Sequence, residues 1–400
     1  MHKDTIVVAI TAAGEAGKAT AYGTIPNTSA ALQALVTRLR QASPPSASRP
    51  PTEVTSGPMR FCYEAGPCGY GIHRTLTTLG EDCVVVAPSM IPRKSGERRK
   101  NDKRDAAALA RLHRGGLLTA IWVPDAAHEA MRDLIRARLA AVRAVRAARQ
   151  QLSAFLLRHE RVYPTDKMTW TKAHRRWLAD QSFTEPAQQI VLQESIEAVH
   201  AGEQRRDRVD GHLRAQIPGW ALYPLVRNLC ALRGLDTIAS AGVAAAIGEP
   251  SRFATAPDFM AYLGLVPSES SSGPKRRIGA ITKTGDLHAR TLLIEAAHSY
   301  RLPARIARNK LAAVGAVPDA IRAVAWKAQT RLCRRYRQMM ARGKPKPVII
   351  TAIARELAGF VWSIACITSD PPTTGAAMAA TSPPACPGED QRNAKTSATD

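Results

Sequence analysis

The stretch KNDKRDAAALARL, residues 100–112, decides the reading of the first half of the chain. Its Ala/Leu-rich run is helical. Asp102 and Asp105 open that run three positions apart, which places both carboxylates on one helical face. Arg93, Lys94, Arg98, Arg99 and Lys100 precede them, the cations suited to a phosphate-bearing polyanion. A structural role competes, because Asp at a helix start caps free backbone N–H groups and favours the positive dipole end. Glu64 weighs against that alternative: it ends the apolar segment Met59 to Tyr63 and is followed by the turn Ala65-Gly66-Pro67. A carboxylate at a strand end, facing a helix with two more, outlines a cage of hard oxygen ligands. Two Mg²⁺ ions in such a cage activate the attacking oxygen and stabilise the leaving oxygen of phosphoryl transfer.

Working outward, Thr5 to Ile10 and Ala19 to Ile25 are β-branched runs separated by Gly14 and Gly17, which predicts a hairpin. Ser29 to Arg40 has helical periodicity, and the Pro/Ser-rich stretch 42–58 reads as a loop. Met59 to Tyr63 and Cys83 to Ala87 read as strands flanking a helix from about Gly71 to Leu79. The expectation is a mixed α/β domain over 1–124.

From Asp125 to Arg161 an apolar stripe through Met131, Ile135, Val142, Val145, Leu152 and Leu156 faces away from Arg132, Arg136, Arg143, Arg146 and Arg149. That pattern predicts a long amphipathic helix, and Glu185 to Leu213 its return, so 125–215 reads as a coiled-coil hairpin. Between them, Trp170 to Trp177 with Lys172, His174, Arg175 and Arg176 suits either base stacking or packing at the hairpin tip. Around Gly234 and Gly242 small-residue helices suit either close helix packing or backbone amides near a phosphate. Residues 225–365 are expected to form a mostly helical domain, and 370–400, rich in Pro, Thr, Ser and Ala, a disordered tail. The fold class is therefore α/β followed by all-α.

The chain of 400 residues holds 56 Lys+Arg against 33 Asp+Glu, a formal charge of +23, which calls for a polyanionic partner. No apolar run reaches the roughly 18 residues needed to cross a bilayer, and Met1-His2-Lys3-Asp4 does not begin a secretory signal. The expectation is a cytoplasmic protein on nucleic acid, away from membranes. Its seven cysteines are dispersed without a C-x₂-C pair, which argues against a zinc site.

One tract remains. GLVPSESSSGPKRR, residues 264–277, leads into IGAITKTGD, residues 278–286, a glycine-punctuated loop dense in hydroxyls and cations. Lys275, Arg276, Arg277, Lys283 and the nearby Arg290 are candidate phosphate contacts. A serine here is a candidate nucleophile if a base or metal removes its proton, with a flexible polar loop the alternative.

Taken together, Glu64 in CYEAGPCGYG, the acid pair, the tryptophan of IWVP and the serine tract resemble the insertion-sequence 110 family of transposases, over about residues 1–360. The resemblance implies an N-terminal RuvC-like DEDD domain of ribonuclease H topology, a coiled-coil middle and a C-terminal serine transposase domain. It implies that Glu64, Asp102 and Asp105 are the second, third and fourth acids of a Mg²⁺ site. It also implies that Ser272 attacks the DNA backbone to give a covalent protein–DNA intermediate, with Ser270 and Ser271 as neighbouring alternatives. A structured noncoding RNA guide and a homodimer pairing into a tetramer are implied partners besides DNA.

The family's first acid has no counterpart here. Met1 aligns with the residue after it, and Asp4 would be displaced along the strand by about 13 Å. The expectation is that the start is internal or the copy truncated. The turn Arg233-Gly234-Leu235-Asp236 also departs from the family's Pro-Gly-Ile-Gly-like pattern. Two other readings stand beside a recombinase: a Holliday-junction-type metallonuclease acting through the acids alone, and a transposase that only binds nucleic acid.

Overall fold

The computed structural model describes residues 2–11, 19–41, 59–92, 101–164, 169–271 and 277–369. The loop 42–58, the basic run 93–100 and the tail 370–400 lie outside the described residues, as do Ser272, Lys275 and Arg276. The chain divides into two compact units, residues 1–125 and 126–400.

In the first unit, β1 (Thr5–Ile10) pairs antiparallel with β2 (Thr20–Pro26), with a bulge between Val8 and Ala9. Helix α1 (Ser29–Gln41) follows. β3 (Arg60–Glu64) and β4 (Asp82–Val86) are parallel, joined through α2 (Gly71–Thr78), and Glu64 stands opposite Val86. A parallel pair needs such a crossover because its strands run the same way. Val36 of α1, Leu76 of α2 and Cys83 of β4 are buried together, with Phe61, Tyr63 and Ile72 against them. Burial raises the thiol pKa of Cys62 to about 11 and, with a smaller contribution from Cys62, that of Cys83 to about 12, so both stay protonated. Arg40 ties α1 to the turn before β4 through the buried Glu81, with Nε donating at 2.9 Å. The α/β character is as the sequence predicts, but the strands form two separate pairs rather than one mixed sheet. Among the described residues β1 is laddered only to β2 and β3 only to β4. Helix α3 (Asp102–Arg114) packs on β1, β2 and β3.

The second unit begins with α4 (Ala126–Arg158), followed by the short α5 (Lys172–Ala179) and α6 (Pro186–Gln216). α4 and α6 run antiparallel: Arg138 pairs with Asp210, and Arg149, eleven residues on, with Glu203. Gly202 sets their closest approach, since a Cβ there would meet Val145 at 3.2 Å. At the hairpin tip Leu152, Phe155, Leu178 and Leu192 bury one another, with Trp170, Trp177 and Phe183 packed against them. The tryptophan segment is thus largely packing.

The rest comprises α7 (Tyr223–Leu229), α8 (Thr237–Ile247), α9 (Ala256–Tyr262), a hairpin of β5 (Pro267–Glu269) and β6 (Ile278–Ile281), α10 (Leu287–Ala297), the single turn α11 (Leu311–Gly315), α12 (Asp319–Ala341) and α13 (Lys346–Ser369). Their core also takes in Met131 and Ile135 of α4 and Leu213 of α6, so the base of the long hairpin belongs to the same packed unit. α13 is long and apolar enough to cross a bilayer by length and composition. It is instead a core helix, with Ile353, Leu357, Val361 and Ile364 fully buried. Its charged Glu356 is taken up by Arg331 and Arg335 of α12. The small residues of α8 are packing elements too, for a Cβ on Gly242 would stand 2.5 Å from Leu292. Asp236, the departure in the turn before α8, accepts from the amide of Ala239 and so occupies the helix N-terminus that a phosphate would need.

Candidate nucleic-acid site: an acidic face and a serine arm

Asn101, not either aspartate, caps α3: its side chain accepts from the Lys103 amide at 3.0 Å. Asp102 and Asp105 are thereby released from the capping role that competed with a functional one. Neither they nor Glu64, the last residue of β3, takes part in an ion pair or side-chain hydrogen bond among the described residues. α3 lies against β3, with Cys62 Sγ 3.8 Å from the Leu109 carbonyl. Three uncommitted carboxylates on two packed elements suit a hard divalent cation in donor chemistry. Yet among the described residues no three acidic, His or Cys side chains stand close enough to share one ion. The three carboxylates are separate donors on packed elements, not an assembled ion site.

The serine tract, expected as a loop, is a β-arm. Above β5 and β6 the Ser270 amide donates to the Arg277 carbonyl, and the Arg277 amide to Ser271 Oγ at 3.2 Å. Below them the Thr282 amide bonds the Val266 carbonyl, and the Lys283 amide that of Gly264. Ser270, Ser271, Arg277 and Lys283 are exposed. In sequence, Ser272, Lys275 and Arg276 fall between Ser271 and Arg277, outside the described residues. Ser271 Oγ also donates to Glu269 Oε1 at 2.8 Å. No His stands near these serines in sequence; Glu269, which ends β5, reaches Ser271 two residues on.

The base of the arm is locked. Gly264 and Gly285 have φ of +63° and +69°, and a Cβ on Gly285 would lie 1.7 Å from the Tyr262 carbonyl oxygen. No other residue meets both the dihedral and the space. Arg290 of α10 completes the lock: it is 5 % exposed and its guanidinium donates to the carbonyls of Leu263 and Thr284 at 2.8 and 2.7 Å, one on each side of the neck. This corrects the reading of Arg290 as a phosphate contact, because its guanidinium is buried and bonded to two carbonyls inside the protein. Arg290→Ala should leave two carbonyls without a donor and destabilise the chain by about 3 kcal/mol, read as a lower denaturation midpoint in urea. An unchanged midpoint would remove the lock from the account.

Comparison with known proteins fits both halves. Residues 1–160 match a transposase family of the IS110 DEDD type, and residues 226–310 match the Transposase IS116/IS110/IS902 family. The putative transposase y4qE of Sinorhizobium fredii is 51% identical over 305 residues, which is 76% of this chain and 75% of that protein.

The chain belongs to the IS110 family of transposases.

More distant relatives agree. The transposase for insertion sequence element IS1533 of Leptospira borgpetersenii is 27% identical over 71% of this chain and 82% of its own length. A probable family 20 transposase of Pseudomonas aeruginosa is 28% identical over 73% of this chain and 79% of its own. The DEDD-type match spans Glu64, Asp102 and Asp105, and the second match spans the serine arm with its locked base. Membership makes DNA the partner that the charge of +23 requires.

Proposed function

We propose that this transposase recombines DNA through a serine nucleophile in the segment that links β5 to β6, with Ser272 the attacking residue. The observation that carries the reading is an exposed, hydroxyl-rich arm on a rigid base, flanked by Arg277 and Lys283 and by the sequence cations Lys275 and Arg276. Ser272 Oγ forms an ester bond to phosphorus as one sugar oxygen leaves. The serine proton goes to a base and the departing oxygen takes up a proton. No water enters, so the phosphoester is kept and a free hydroxyl on a partner strand reverses the step onto a new junction.

Glu64, Asp102 and Asp105, which do not converge on one ion among the described residues, are the carboxylates that would hold Mg²⁺; the ion would supply Lewis-acid stabilisation of the charge that builds at the phosphate. Arg277 and Lys283 bring the DNA backbone to the arm by charge. The acids sit in one unit and the arm in the other, which suits a site assembled across copies of the chain, a homodimer pairing into a tetramer. A noncoding RNA guide and a cytoplasmic location complete the reading.

The test incubates the 400-residue protein with Mg²⁺ and element-end DNA, with and without RNA from the element's end, and separates the products under denaturing conditions. The expected result is a protein–DNA adduct that survives denaturation. Free DNA ends without attached protein would establish the metallonuclease instead. Salt-sensitive binding with no cleavage would leave a nucleic-acid-binding protein.

A further inference from the structure

Between α4 and α6, beneath the hairpin tip, lies a cavity of about 490 Å³, within the size range of small-molecule sites. Val142 and Val145 give it an apolar floor, Trp170 an aromatic wall, and Arg146, Arg149 and Arg206 a cationic rim. No carboxylate is among its described lining residues, and Arg206 is paired with Asp207 beside it.

Three features set it apart from ordinary packing. Trp170 is held at φ +63°, a left-handed conformation that a bulky residue adopts only under constraint from its surroundings. The Arg149 guanidinium sits over the Trp170 ring, 4.5 Å from its centroid, and is braced there by Glu203, which also accepts from Arg175. Burial alone would raise the Glu203 pKa, but the hydrogen bonds from Arg175 and Arg149 outweigh it and hold the carboxyl below its usual value, so the brace stays charged. Finally, Arg149 Nε is buried without an acceptor among the described residues. Arg146 is exposed and has no ion pair among them.

We propose that this cavity binds an unpaired nucleotide of a single-stranded nucleic acid, the base against Trp170 and Arg149 and its phosphates at Arg146 and Arg206. Aromatic rings and guanidinium planes both stack on splayed bases, and the cations track the backbone. A duplex cannot enter, because its bases are paired and stacked. Gln150 and Ser153, also on the lining, offer polar groups to a base edge. The proposal goes beyond the serine chemistry and shares with it only a nucleic-acid partner.

The test uses the full chain with oligonucleotides of about 12 residues, poly-dT and poly-U, each carrying one 5-iodouracil, and a duplex control. Irradiation should cross-link the single strands to Trp170, found on the tryptic peptide of residues 168–172, and should leave the duplex uncoupled. Whether DNA or RNA is the source is read from which of the two binds more tightly. Trp170→Ala should weaken single-strand binding roughly tenfold and Trp170→Phe should restore most of it. Arg146→Gln, which breaks no ion pair or side-chain hydrogen bond among the described residues, should flatten the salt dependence by about 0.7 in the log–log slope. Unchanged binding in both Trp170→Ala and Arg146→Gln, or cross-linking to other peptides alone, would overturn the proposal. So would an acidic peptide that protects the cavity while single strands do not bind. Cross-linking at Trp170 without any covalent adduct at the arm would sink the recombinase reading and leave this site standing. The converse result would do the opposite.

Discussion

Ser272→Ala should abolish the denaturation-resistant adduct, lowering its rate roughly a thousandfold or more, because the bond to phosphorus forms through that hydroxyl. DNA binding should be unchanged, since the cations that hold the backbone are untouched. Ser270→Ala and Ser271→Ala separate the neighbours. The Ser270 amide and the Ser271 hydroxyl both engage Arg277, so these serines hold the two strands of the arm together beyond β5 and β6. Loss of the Ser271 hydroxyl is expected to lower the adduct yield severalfold by loosening the tip, without removing the nucleophile. An undiminished adduct from Ser272→Ala, together with its loss in Ser271→Ala, would move the nucleophile to the residue that Glu269 contacts at 2.8 Å.

Glu64→Gln and Asp102→Asn should each cost several kcal/mol of transition-state stabilisation, on the order of 10³-fold in cleavage, while leaving the fold within about 0.5 kcal/mol of wild type. The two halves of that expectation share one observation. Asn101 caps α3, and neither carboxylate has an ion-pair or side-chain hydrogen-bond partner to lose among the described residues. A purely structural role predicts the reverse pattern, lower stability with activity retained. Asp102→Asn should show the dipole contribution most clearly, a few tenths of a kcal/mol at a helix N-terminus. Parallel urea melts and cleavage rates on the same preparations would distinguish the cases, and a variant that melts early yet cuts normally would remove the acids from the mechanism.

Much of this architecture was legible because it rests on local signals. The β-branched runs at Thr5 and Thr20, the 3.6-residue stripe from Met131 to Leu156 and the strand-helix-strand run from Arg60 to Val86 all carry their own periodicity. What stayed hidden depends on partners distant in sequence. Whether β1 and β3 share one ladder is fixed by pairing rather than by either strand's composition. Arg290 looks like any cation near a basic loop, and only the carbonyls of Leu263 and Thr284, brought together by two left-handed glycines, reveal it as a clamp. α13 carries Arg355 and Glu356 within an apolar helix, and its burial follows from α12 supplying two arginines. The division drawn between 215 and 225 is crossed by the core, because Met131, Ile135 and Leu213 bury themselves among the later helices.

The arginines on the second face of α4 show the same limit. A charged stripe reads as a solvated face, and for Arg136, paired with Asp133 on its own helix, that holds. Arg149 differs because α6 offers Glu203 and the segment before α5 offers Trp170. No window of sequence around Arg149 contains either. The acid pair was legible as a pattern, but its freedom from capping was not, since that depends on which of three adjacent polar residues turns back onto the Lys103 amide.

The central claim, that a serine of the β5–β6 arm becomes bonded to DNA, is tested most directly by mass spectrometry of the trapped adduct. Trypsin releases residues 253–275 as one peptide carrying the serines at 268, 270, 271 and 272. The account predicts a nucleotide-sized mass on this peptide, fragmenting at Ser272. A nucleotide on any peptide outside the arm, or complete cleavage of the DNA with every peptide unmodified, would contradict it.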